Sequence, residues 1–317
     1  MHPACTYAAL LALTAAACRD RPASSSASVS ARETVVVYLA ASLTKPLQAA
    51  LDTFAARNNS VVQRESGGSL EHARKLTELG RIPDVIALAD PEVFPQLLMP
   101  KHVTWYADFA RNRMIIGYTD KSRHAAEIDS MNWPRILAEK GVEVGRPDPR
   151  VAPAGYRTFL MLELAEKYYH DPGLMQRVLA NADPTKVRPN AAELAALLQT
   201  GEVDYVFDYE SVAAVYGFHA LRLPAAIDLG DPARANEYAQ VKFRDNPDSV
   251  IHTGSPILYA LSVPVKAPHP AAAARLAGFL LSAEGRSMMR AAHVDALDHA
   301  VFVGTDAPVA IRDAASR

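Results

Sequence analysis

Apolar positions along this chain fall into short β-branched runs that alternate with stretches of helical spacing. Residues 34–39 (TVVVYL) form a continuous run that predicts a buried strand. Leu43, Leu47, Ala50, Leu51 and Phe54 then recur at helical spacing, and Ser42 is the predicted cap of a helix running to about Ala56. Residues 61–65 read as a second strand and Ser66-Gly67-Gly68 as a turn. Ser69 is the predicted N-cap of a helix to about Leu79 that Gly80 closes. Residues 84–89 (DVIALA) are a third strand. The β-α-β-α-β order predicts parallel strands joined by right-handed crossovers.

Further on, residues 114–118 (MIIGY) predict a strand that crosses to a second lobe, and residues 256–263 one that returns. Between them, Asn132-Trp133-Pro134 opens a helix, and residues 143–146 form a short strand that leads into a Pro-rich loop. A helix follows from Gly155 or Tyr156 to about Tyr169, and Asn190 caps another that Gly201 ends. Residues 204–209 (DYVFDY) are a strand followed by a helix from Ser211, and residues 271–281 and 283–291 are closing helices.

At 317 residues the chain is long enough for two domains of ordinary size. A net charge of −2 speaks against a basic nucleic-acid-binding surface. Both cysteines, Cys5 and Cys18, lie near the N-terminus, which leaves the body without a disulfide, a thiolate metal site or a cysteine nucleophile. Residues 8–17 are apolar but too few to span a bilayer, and they end in Leu13-Thr14-Ala15-Ala16-Ala17-Cys18. Residues 1–17 therefore read as a signal peptide and Cys18 as a lipidation site, with ordinary cleavage after Ala17 the alternative. Residues 18–32 read as a flexible tether. The expected protein is exported, periplasmic or surface-anchored, and touches membrane only through that lipid.

Ser42, Ser69, Ala154, Asn190 or Ala191, and Asp208 each fall at a strand end or a strand-to-helix turn. Ligands of open α/β sheets gather at such ends. Helix N-termini offer unpaired N–H groups that suit an anion without any cationic side chain. No catalytic set accompanies them. Ser69 and His72 lack an orienting acid, and the histidines show no zinc spacing. Arg157 is expected to tie its helix to the adjoining loop.

These segments resemble the molybdate/tungstate-binding proteins of bacterial and archaeal ABC transporters across residues 34–290. The resemblance is carried by Tyr38-Leu39-Ala40-Ala41-Ser42-Leu43-Thr44, Gly67-Gly68-Ser69 and Phe109-Ala110-Arg111-Asn112. It continues through Pro153-Ala154-Gly155-Tyr156-Arg157 and Asp204-Tyr205-Val206-Phe207-Asp208-Tyr209, and it is nearest to the archaeal-type tungstate-binding branch. It implies an α/β, two-lobed type II periplasmic-binding fold, with a mostly parallel sheet in each lobe and two crossover strands. Lobe 1 would take residues 33–115 and 260–317, and lobe 2 residues 116–259. It also implies a monomeric binding protein rather than an enzyme, without cofactor. The ligand would be molybdate or tungstate, and the partners an ABC permease and its ATPase.

By the same match, Ser42, Ser69 and the backbones of Ala154 and Ala191 would donate to the anion, and Tyr209 would replace a tyrosine of the bacterial branch. Ala41, Gly155, Tyr156 and Asn190 are secondary candidates. The archaeal branch completes a six-coordinate metal centre with an Asp and a Glu, where this chain has Ala152 and Asp208. Asp148 is a candidate replacement in the same loop. A carboxylate ~4 Å from a dianion is repelled by roughly 8 kcal/mol at an effective dielectric of ~20. Asp208 therefore coordinates the metal, holds a proton or points away; otherwise the ligand is another anion or a small solute.

Overall fold

The computed structural model describes residues 32–317; the expected signal peptide, Cys18 and all but the last residue of the tether lie outside the described residues. Along the chain come β1 (Thr34–Ala40), β2 (Val61–Gly67), β3 (Val85–Leu88) and β4 (Trp105–Arg111). Next are β5 (Met114–Tyr118), β6 (Val144–Pro147), β7 (Val187–Arg188), β8 (Tyr205–Tyr209) and β9 (His219–Arg222). A small ribbon of β10 (Lys242–Phe243) and β11 (His252–Thr253) precedes β12 (Leu258–Ser262) and β13 (Asp295–Gly304).

They build two main sheets, in the orders β13-β4-β12-β3-β1-β2 and β7-β6-β8-β5-β9. As the β-α-β-α-β pattern predicts, β1 pairs in parallel with both β2 and β3. In the second sheet β6 pairs in parallel with β7 and β8. Strands β12 and β5 run antiparallel to their neighbours. The chain passes between the sheets at Asn112 and Arg113, after β4, and returns just before β12.

Helices α1 (Ala41–Thr44) and α2 (Gln48–Arg57) follow β1, and α3 (Ser69–Thr77) follows β2. Around the second sheet lie α4 (Trp133–Leu137), α5 (Pro153–Tyr168), α6 (Leu174–Ala180), α7 (Ala191–Thr200) and α8 (Glu210–Tyr216). Then come α9 (Ala235–Tyr238), α10 (Pro270–Leu281), α11 (Ala283–Ala291) and α12 (Val309–Ser316). The helix expected from Ser42 to Ala56 is broken in two. Pro46 has no N–H to give the Ser42 carbonyl, so the chain turns before α2 resumes. Neither Ser42 nor Ser69 is a cap: Ala40 and Gly68 hold those positions. Helix α5 starts at Pro153, earlier than expected, because the fixed φ of proline suits the first helical position. Asn190 and Gly201 bound α7 as expected; the Asn190 side chain accepts from Glu193 N, and Gly201 has φ 79°.

Asp84, fully buried, fastens the first sheet to its covering helix. Its carboxylate accepts from Val36 N at 2.8 Å in β1 and from His269 N at 2.7 Å before α10. Asp84→Ala leaves two part-buried N–H groups without this acceptor. It should cost about 2–4 kcal/mol, read as a lower urea midpoint at unchanged m-value.

Candidate functional site

The strand ends of the two sheets face each other across a small cavity. The first sheet supplies Ala40, Ala41 and Ser42 after β1, Gly67, Gly68 and Ser69 after β2, and Ala89 after β3. The second supplies Pro147 after β6, Ala152–Ala154 at the start of α5, Pro189–Ala191 after β7, and Asp208 and Tyr209 ending β8. The cavity volume is about 30 Å³. That is room for a small compact ligand such as a tetrahedral ion.

The lobes meet closely around it. Leu70 N donates to Val151 O at 3.2 Å, and Arg74 Nη1 to Arg150 O at 3.3 Å. Lys45 Nζ lies 3.9 Å from the centre of the Tyr216 ring. Gly68 is needed at this seam: a Cβ there would stand 2.1 Å from Val151 O.

Three hydroxyl residues line the cavity, and each hydroxyl oxygen already accepts one hydrogen bond. Ser42 Oγ accepts from the Tyr259 hydroxyl at 3.0 Å, which itself accepts from Asn112 Nδ2 at 2.8 Å. Ser69 Oγ accepts from Ala89 N at 3.0 Å. The Tyr209 hydroxyl accepts from Arg157 Nη1 at 2.7 Å. Each O–H proton is thereby left over as a donor. Ala154 and Ala191 sit in the first turns of α5 and α7, where backbone N–H groups have no intrahelical acceptor. Among the described residues no Lys, Arg or His side chain lines the cavity.

Among the described residues Asp208 is the one carboxyl group on the cavity wall, and it is almost fully buried. Burial pushes its pKa up to about 7, against the opposing effect of the Tyr209 N–H donated to Oδ1 at 2.8 Å. Among the described residues no cationic side chain pairs with it.

Other sequence candidates are placed elsewhere. Asp148 is not on the cavity wall: its two carboxylate oxygens are held by Arg150 Nε at 3.0 Å and Nη2 at 2.6 Å. Gly155 turns its Cα toward the backbone of Asp148 and Pro149, and its N–H goes to Ala152 O. Tyr156 is also off the wall. Its hydroxyl donates to Asp90, and its ring stacks on His252 at 3.7 Å. Asn190 and Ala41 do line the cavity, although the Asn190 side chain is spent on capping α7. Ser69 and His72 form no nucleophile–base pair, since His72 Nε2 donates to Leu39 O at 3.0 Å and burial lowers its pKa.

Sequence reasoning missed Tyr259, Asn112 and Ala89, whose roles depend on partners far along the chain. Arg157 does tie its helix down, to Ala89 O and Asp90 across the seam rather than to its own loop.

This architecture is that of two-lobed periplasmic binding proteins. The Azotobacter vinelandii periplasmic molybdate-binding protein superposes with a TM-score of 0.59 at 15% identity, over 82% of this chain and 98% of that one. Residues 35–294 match the family described as bacterial extracellular solute-binding protein, and the chain belongs to that family. Membership makes it a solute-binding protein of transport type, not an enzyme. A solute-binding protein of Petrotoga mobilis is 38% identical over 260 residues, covering 80% of this chain and 81% of its own. The molybdate/tungstate-binding protein WtpA of Thermococcus kodakarensis is 32% identical over 327 aligned positions, covering 94% and 92%. The resemblance read from the sequence agrees with these relatives. No helix among the described residues is long and apolar enough to cross a membrane.

Proposed function

We propose that this chain captures a tetrahedral group-6 oxyanion, molybdate or tungstate, between its lobes and delivers it to the permease and ATPase of an ABC importer. The observation that carries the reading is the set of three hydroxyls, on Ser42, Ser69 and Tyr209, each held by a donor from elsewhere in the fold and each keeping its O–H proton to give to a ligand. Such a cavity suits a ligand that only accepts. The N–H groups of Ala154 and Ala191 complete the donor set. The small cavity and the molybdate/tungstate-binding relative at 32% identity support the same reading.

Binding is four-coordinate in this account. Ala152 offers no oxygen from its side chain, and Asp148 is engaged by Arg150, so no second carboxylate reaches the ion. Asp208 carries its proton when the anion is bound and donates it to an anion oxygen. Chain passages at residues 112–113 and 254–257 serve as hinges. The mature protein is exported, monomeric and anchored through Cys18.

A second reading rests on Asp208 itself. An ionised carboxylate would accept from an anion that brings its own proton, such as hydrogen phosphate. Asp208→Asn separates the two, because the amide still donates to an unprotonated anion but replaces the carboxylate needed by a protonated one.

Titration calorimetry with molybdate supplies the tests. Ser42→Ala and Ser69→Ala should each weaken binding by about 1–3 kcal/mol; unchanged affinity in both contradicts the cradle. Wild-type affinity should be flat below pH 7, where Asp208 is already protonated. Above pH 7 binding must take up a proton, so affinity should fall about tenfold per pH unit. Asp208→Asn should bind with little dependence on pH; loss of molybdate binding in that variant would assign Asp208 to the metal instead.

A further inference from the structure

One buried cluster crosses the seam between the lobes. Asp90 follows β3 in the first lobe, while Tyr156 and Arg157 belong to α5 in the second. Arg157 Nη2 lies 3.3 Å from Asp90 Oδ1, with side-chain exposures of only 2% and 6%. The Tyr156 hydroxyl donates to the other Asp90 oxygen. Arg157 Nη1 donates both to Ala89 O in the first lobe and to the Tyr209 hydroxyl in its own.

This distribution of partners is unusual for a residue that merely stabilises a helix. Apart from Tyr209, the polar partners of Arg157 all lie in the opposite lobe. Ala89 and Asp90 belong to one sheet and Arg157 to a helix of the other, so a separation of the lobes would break these contacts. They also touch both walls of the cavity. The Ala89 peptide that receives Arg157 through its carbonyl neighbours the N–H that fixes Ser69 Oγ, and the same guanidinium nitrogen fixes the Tyr209 hydroxyl.

We propose that the Arg157–Asp90 pair is a closure latch and that Arg157 is a positioning residue for ligand binding. Its guanidinium docks as the lobes close, and docking holds one cavity hydroxyl on each wall with its proton toward the ligand. Closing and completion of the cradle are then one event. This inference rests on the oxyanion reading for its ligand, but its residues lie outside the cavity wall. Two charges sealed from water lose much if either partner is removed, and such losses are felt in dissociation more than in encounter. The latch therefore acts on release.

The test is stopped-flow intrinsic fluorescence of the full protein with molybdate, using Asp90→Asn, Arg157→Lys, Arg157→Gln and the Asp90→Asn/Arg157→Gln double variant. Asp90→Asn keeps the shape of the side chain and guards against a folding failure at Arg157. The expected result is a dissociation rate raised about tenfold or more in Asp90→Asn and Arg157→Gln, with the association rate changed by less than about threefold. Arg157→Lys should fall between, because one ammonium cannot reproduce the fork that reaches Ala89, Asp90 and Tyr209. The double variant should be no worse than the poorer single one. At saturating molybdate, small-angle scattering should report a larger radius of gyration for the variants than for the wild type. Unchanged dissociation rates in variants that bind, or additive losses in the double variant, would overturn the latch. Absence of molybdate and tungstate binding by the wild type would overturn the oxyanion reading instead.

Discussion

A dianion enclosed without a cationic side chain must have its oxygens met by donors whose own oxygens or nitrogens are already fixed. On the proposed reading, that requirement organises this protein. Ser42, Ser69 and Tyr209 are each held by a donor from elsewhere in the fold, which fixes the oxygen and leaves the O–H proton to be donated. The fixing groups are themselves fixed: Asn112 holds Tyr259, and Arg157 is sealed between Ala89, Asp90 and Tyr209. Preorganisation of this kind avoids the cost of orienting loose dipoles at the moment of binding.

The sheets supply the geometry. In each lobe, parallel strands bring their carboxyl ends to one edge, and the turns that leave them place hydroxyls and helix starts there. The seam between the lobes is made of close backbone approaches, and Gly68 against Val151 is the tightest of those described. Asp208 fits this scheme only as a neutral group. Burial without a cation raises its pKa to about 7, and a nearby dianion raises it further.

Much of the architecture is legible in the sequence because it is written locally. The β-branched run of β1, the cap at Asn190 and the glycine at 201 each signal through adjacent residues, and each forms as expected. Strand β13 escaped notice because it lies at the sheet edge, where Asp298 and His299 interrupt the apolar residues and Val301 and Val303 stay exposed. At the cavity, the positions of Ser42 and Ser69 were readable from their turns, but their roles were not. A serine at a helix start reads as a cap, whereas here the bonds that commit these hydroxyls come from Tyr259 and Ala89. Asp148 looked available because nothing in its spacing reveals the clasp by Arg150, two residues on. The latch is less legible still, since Asp90 and Arg157 meet only after two sheets have formed and closed.

The central claim is that the cavity takes an anion that only accepts hydrogen bonds. Calorimetric titration of the wild-type protein at pH 6.5 with molybdate, tungstate, sulfate and phosphate tests it directly. The account predicts sub-micromolar binding of molybdate and tungstate, with sulfate weak because its shorter bonds leave donors out of reach, and phosphate weak because its proton meets a donor. Tight binding of phosphate with none of molybdate would contradict it and would make Asp208 an acceptor.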